Sequence, residues 1–246
     1  MKMILKGLVC AAAIVSVTGV AQAGKYKEVD VKDGGSISGK VAAGSVVAKT
    51  KSYTISKDPQ ICGEGNRDVP LVEVANGVVK NSVVYLAKVK QGKAFPDPLK
   101  NVKLDQKKCA FSPAFSVMAN GGKLTAVNDD GTLHNIHTYE LIGKARRTIM
   151  NVSQPTKGDT VTKKVKMRKG VGMKIECDAH DFMHAYMFVA QSPYYSVVDA
   201  KGGFKIDNIP AGKYKVVLWH GFLGEVKGGE IEVKAGGNTN VNLSFK

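Results

Sequence analysis

The strongest constraint on this chain is a side-chain period of two that recurs along most of its length. Val83-Val84-Tyr85-Leu86, Lys123-Leu124-Thr125-Ala126-Val127, Val161 to Met167, Met173-Lys174-Ile175 and Tyr186 to Val189 are short alternating or apolar runs. Gly203-Phe204-Lys205-Ile206, Tyr214 to Trp219, Glu230-Ile231-Glu232-Val233 and Val241-Asn242-Leu243 continue the series. Gly, Asn, Asp and Pro separate the runs, as expected of strands joined by tight turns. Helical patterning is weak, and only Glu140 to Ile149 has room for a turn or two of helix. Many short strands at close spacing predict an all-β chain built from β-sandwiches.

The first residues follow another logic. Lys2 and Lys6 flank the start of a largely apolar stretch, Ile4 to Val20, and Val20-Ala21-Gln22-Ala23 has the small-x-small ending of a signal-peptidase site. Residues 1–23 are therefore expected to be a signal peptide cleaved after Ala23, leaving a periplasmic or secreted protein. No later run is apolar and long enough for a transmembrane helix. The 223 residues that remain suit one large or two small domains. One domain is expected over 46–192 and a smaller one over 193–246, divided near Pro193. The smaller piece has few strands for a sandwich that usually takes about seven. Residues 24–45, with Ser36-Ile37-Ser38-Gly39-Lys40-Val41, are the candidate for a missing strand.

Charge narrows the partners. The formal charge is +15, or +13 once the two leader lysines are removed. Between Lys144 and Lys169 there are nine Lys or Arg against the single acid Asp159. Such a run is a solvated face or a field that steers an acidic redox partner, such as a cytochrome. Nucleic acid is not expected, because no aromatic-basic motif accompanies the charge.

Three cysteines survive export: Cys62, Cys109 and Cys177. An odd count in an oxidising compartment asks for one disulfide and one special thiol. Cys177 opens the septet Cys177-Asp178-Ala179-His180-Asp181-Phe182-Met183, so Cys62–Cys109 is the expected disulfide. The absence of Cys-x-x-Cys-His excludes covalently attached haem. With His134 upstream, the septet offers two imidazoles, a thiolate and a thioether. Soft sulfur selects copper, and a trigonal His-His-Cys set with a weak axial Met is an electron-transfer geometry. Zinc has no use for the Met. His134 and His137 point to opposite faces of an extended strand and are not expected to share a metal. Asn135 is expected to brace the Cys177 loop by a hydrogen bond across to it. Taken singly, each of these residues reads as core or surface, and His137, His184 and His220 are read as structural.

His134-Asn135-Ile136-His137 together with Cys177 to Met183 resembles the cupredoxins, the short Cys-His-Met loop being most similar to amicyanin. The resemblance implies a Greek-key β-sandwich and one mononuclear type 1 (blue) copper held by His134, Cys177, His180 and Met183. It also implies an electron-exit surface at the exposed edge of His180 with Phe182 beside it. Gly203-Phe204-Lys205-Ile206 with Pro210-Ala211-Gly212-Lys213-Tyr214-Lys215-Val216 resembles the carboxypeptidase-regulatory-like (transthyretin-like) domains, which implies a second β-sandwich with a structural role. Trp219 is read as a core residue of it. The expected function is that of an exported single-copper electron carrier. Copper sequestration or delivery is the alternative, and an envelope module with a cupredoxin scaffold a third. Enzymatic activity is not expected, since five histidines cannot supply a second copper centre.

Overall fold

A computed structural model describes residues 26–246. The expected signal peptide lies outside the described residues. The described chain is all-β, and its α-helix is confined to the single turn Pro59–Cys62. No described helix is long and apolar enough to cross a membrane.

Two sheets face each other in the first sandwich. One has four strands in the order Phe111–Ser112, Asn101–Gln106, Lys123–Asn128, Thr160–Lys164. The other has five: Phe115–Ala119, His184–Ala190, Gly172–Glu176, His134–Ile142, Ala145–Gln154. Alternation does what the sequence implied. On Lys123–Asn128 the residues Leu124, Ala126 and Asn128 are fully buried while those between them are not. Met118, Met173, Ile175 and Met187 fill the space between the sheets with Leu104 and Leu124. Each such side chain contributes about 1.5–3 kcal/mol by leaving water. The turn or two of helix allowed at Glu140 to Ile149 is absent. That segment is a hairpin, with Ile142 opposite Ala145 across a turn containing Gly143 at φ 59°. The positive φ suits glycine, and cross-strand pairing overrides the local helical tendency.

The second sandwich is discontinuous in sequence. Gly35–Ala42 pairs antiparallel with Gly203–Ile209 and parallel with Asn238–Asn240 and Leu243–Ser244. The opposing sheet runs Tyr195–Val197, Val83–Ala87, Gly212–His220, Gly224–Val233. Thus Val83–Ala87, which the sequence places within the 46–192 domain, hydrogen-bonds into the second sandwich instead. Its inward Val84 and Leu86 join Ile37, Ile206, Val216 and Leu218 in one aliphatic core.

Aromatic side chains join the two sandwiches. Trp219 sits 5.4 Å from Phe188 and 6.4 Å from Phe115, ring centre to ring centre. A Cβ on Gly172 would stand 3.0 Å from the Trp219 indole, close enough that the ring would have to shift to admit it. Trp219 is thus core, but core of the joint.

Candidate metal centre

Strand His134–Ile142 builds one wall of the site. His134, Ile136, Thr138 and Glu140 have no exposure, whereas Asn135, His137 and Tyr139 occupy the other face. His134 and His137 therefore diverge, as the period of two demands. Gly172–Glu176 is the neighbouring strand, with His137 opposite Glu176, so Cys177 leaves the sheet beside His134. The chain then turns: the Met183 N–H donates to the His180 carbonyl at 3.0 Å, which brings His180 back under Cys177.

Three donor atoms converge. His134 Nδ1 and His180 Nδ1 are 3.2 Å apart, and Cys177 Sγ lies 3.9 and 3.8 Å from them. All three residues are buried. Nitrogen and sulfur donors about 2.0–2.3 Å from an ion would stand roughly 3.5–3.7 Å apart in a trigonal plane, so this triangle fits a single metal. Met183 is buried in the same cluster as Cys177.

The ring orientation is set from outside the triangle. His134 Nε2 donates to Asp130 at 2.9 Å, and His180 Nε2 donates to Asp58 at 2.9 Å. An ionised carboxylate only accepts, so each ring carries its proton on Nε2. Both Nδ1 lone pairs are then turned toward each other and toward the sulfur, which is the arrangement a cation stabilises. Carboxylate-histidine pairs of this kind fix tautomer and ring angle in metal sites. Burial holds the His134 imidazole below its ordinary range, against the raising effect of Asp130. Burial also raises the Cys177 thiol, although the Asn135 N–H donates to its sulfur at 3.4 Å. Ligation would displace that proton.

Asn135 is hydrogen-bonded to the Cys177 loop. Its side-chain oxygen accepts from the Asp178 N–H, and its Nδ2 donates to Asn151 at 2.6 Å and Asp178 at 3.1 Å. His137 faces Asp178 at 3.0 Å and stacks on Tyr139, away from the triangle. His184 meets the Tyr53 hydroxyl at 2.7 Å, and His220 Nδ1 accepts from the Phe222 and Leu223 N–H groups.

The expected electron-exit surface needs correcting. His180 and Phe182 are 1% and 4% exposed, not at the surface. They are covered by the segment around the hairpin Lys49–Thr54 and Asn66–Val72, which the Cys62–Cys109 disulfide attaches to the first sandwich. Arg67 of that hairpin lies 4.7 Å over the Phe182 ring. Sequence reasoning missed Asp58 and Asp130. Asp130 stands four residues before His134 and had a weak local signal; Asp58 had none, because only tertiary folding brings it within reach.

The basic run is partly consumed by the fold. Arg147 pairs with buried Glu140 at 2.6 Å and Arg146 with Glu176 at 3.1 Å. Lys144, Lys157, Lys163, Lys164 and Lys166 form no ion pair within 4.0 Å among the described residues.

Solved structures similar to the chain include cupredoxins. A purple cupredoxin from Nitrosopumilus maritimus is 18% identical, covering 36% of this chain and 99% of that one, with a TM-score of 0.31. Reduced auracyanin from Roseiflexus castenholzii is 15% identical over 37% of this chain and 97% of that one, TM-score 0.31. The reduced state of an amicyanin mutant is 16% identical over 37% and 82%, TM-score 0.31. These likenesses cover part of the chain at TM-scores that leave function to rest on the site itself. Residues 174–241 match the family model described as polysaccharide lyase family 4, domain II. No curated protein matches the chain in sequence.

Proposed function

We propose that the chain is an exported type 1 copper protein that carries single electrons between periplasmic or extracellular redox partners. The observation that supports it is the converging triangle of His134 Nδ1, His180 Nδ1 and Cys177 Sγ, with both outer nitrogens held by carboxylates. Met183, buried in the same cluster, would add a weak thioether ligand. Copper, when bound, would contribute the one-electron redox couple. The protein would hold the donors still, so that little rearranges when the electron moves. The unpaired lysines of the 144–169 run would steer an acidic partner such as a cytochrome into a brief encounter. We read the second sandwich as a carboxypeptidase-regulatory-like scaffold, and the protein as a carrier rather than an enzyme.

The burial of His180 favours a second reading, copper sequestration or delivery, because a covered imidazole offers no direct edge to a partner. Adding Cu(II) to the mature protein tests the common premise. An intense thiolate-to-copper absorption band that disappears in Cys177→Ser is expected; a colourless protein without bound copper overturns both readings. Fast, reversible voltammetry then identifies a carrier, and slow exchange a delivery protein.

A further inference from the structure

The two histidines are braced by residues that belong to one covalently linked unit. Asp58 precedes the turn of helix Pro59–Cys62 and adopts a left-handed φ of 51° to reach His180 Nε2. Four residues on, Cys62 is bonded to Cys109. The Lys108 and Cys109 N–H groups donate to Asp130 at 2.7 and 2.8 Å, and Asp130 holds His134 Nε2. Arg67 spans the same joint, donating to the Cys62 and Cys109 carbonyls. The sulfurs of Cys62 and Cys109 and a ring nitrogen of His180 lie within 4.8 Å of one another. The disulfide therefore connects the carboxylate behind one imidazole to the backbone that holds the carboxylate behind the other.

We propose that the segment 49–72 is a latched cap on the metal centre, with Asp58 as the positioning residue that closes it on His180 and the Cys62–Cys109 disulfide as the latch. The cap rests on the copper reading for its purpose but not for its geometry. The cap loosens when either restraint is lost, and releasing the latch takes a dithiol reductant: the dithiol gives up two electrons and two protons and becomes a disulfide, and Cys62 and Cys109 become thiols. The metal takes no part in that exchange. The unlatched hairpin keeps its antiparallel pairing to itself, Lys49–Thr54 against Asn66–Val72. It lifts off as a piece, carrying Asp58 away from His180 and opening a path to Cys177, the buried free cysteine 3.8 Å from His180 Nδ1.

Two measurements on the mature chain test this. In metal-free protein, the rate at which iodoacetamide alkylates Cys177 reads the cap directly. It is expected to rise about 10-fold or more in the Cys62→Ser/Cys109→Ser double variant and also in Asp58→Asn, which keeps size and fold. In protein loaded with Cu(I) using ascorbate, the rate of transfer to a bathocuproine chelator is expected to rise about 10- to 100-fold in both variants, on the scale of the affinity lost when outer partners of ligating histidines are removed. Asp58→Asn added to the double variant should change little further, since latch and carboxylate act on one motion. Alkylation rates equal to wild type in both variants overturn the cap. Wild-type protein that takes up no copper, yet shows cap-dependent alkylation, overturns the functional reading and leaves the cap standing.

Discussion

The two sandwiches solve the same packing problem with different materials. The second is filled by Ile37, Val79, Val84, Leu86, Ile206, Val216 and Leu218 with Tyr194, and His220 is buried at the end of one of its strands. The first interleaves methionines, Met118, Met150, Met167, Met173, Met183 and Met187, with a buried polar set that includes Gln106, Asn128, Asp130, His134, Glu140, Gln154 and His180. Buried polar groups are tolerable only when partnered. Most are: Gln106 donates to Gln154, Asn128 to the Thr132 and Gln154 carbonyls, and Glu140 accepts from three backbone N–H groups and Arg147, while Gln106 Oε1 and Thr138 Oγ1 are buried without a hydrogen-bond partner. An aliphatic core needs only volume and pattern, whereas a site core needs every partner in place. Methionine suits the second task because its flexible thioether fills irregular gaps around fixed polar groups.

Three perturbations probe that contrast. Glu140→Ala should have the largest effect, about 3–5 kcal/mol by denaturant unfolding. It strands Arg147 and leaves the Arg168, Lys169 and Gly170 N–H groups without their acceptor. Burial works to raise the Glu140 carboxyl, but the N–H donors and Arg147 outweigh it and hold it below the ordinary range. A depressed carboxylate stabilises above its unfolded pKa and loses that contribution as pH falls through the folded value. The gap between wild type and Glu140→Gln should therefore close as the solution is taken from pH 7 toward pH 3; a gap that stays constant contradicts this.

Trp219→Ala comes next, at about 3–4 kcal/mol for a buried aromatic. Because Trp219 lies at the joint, calorimetry should resolve two transitions where wild type has one. A single transition at lower temperature would mean that the sandwiches melt together without it.

The smallest effect is a pH dependence assigned to the second sandwich. Burial lowers His220 from 6.5 to about 4, and its Nδ1 accepts two backbone N–H bonds. The unfolded chain takes up a proton below pH 6.5 that the folded chain refuses until about pH 4. Stability is lost across that window, by at most about 3.4 kcal/mol at 1.36 kcal/mol per unit. His220→Gln should flatten the slope between pH 6.5 and 4; an unchanged slope would assign it elsewhere.

The residues of the candidate site were legible to different degrees. Cys177, His180 and Met183 share a seven-residue segment, so their chemistry can be read without knowing the fold. His134 was separable from His137 only as an alternative, by strand parity and a family likeness. The braces were harder. Asp130 is four residues from His134, but what fixes it is the N–H pair of Lys108 and Cys109 from another turn. The exposed His180 implied by resemblance failed because a distant hairpin covers it, and Val83–Ala87 changed sandwich because its pairing partner lies more than a hundred residues away.

Local chemistry and side-chain period alone determined that the chain is all-β, that its ligand types suit copper, and that Cys177 stands apart from the other two cysteines. Parity says which face a side chain occupies but not which sheet the strand joins. The choice of sheet, the cap over His180 and the carboxylates behind both imidazoles were decided by tertiary structure. Each depends on contacts between segments far apart in sequence, whose free energies compete over the whole chain and leave no local trace.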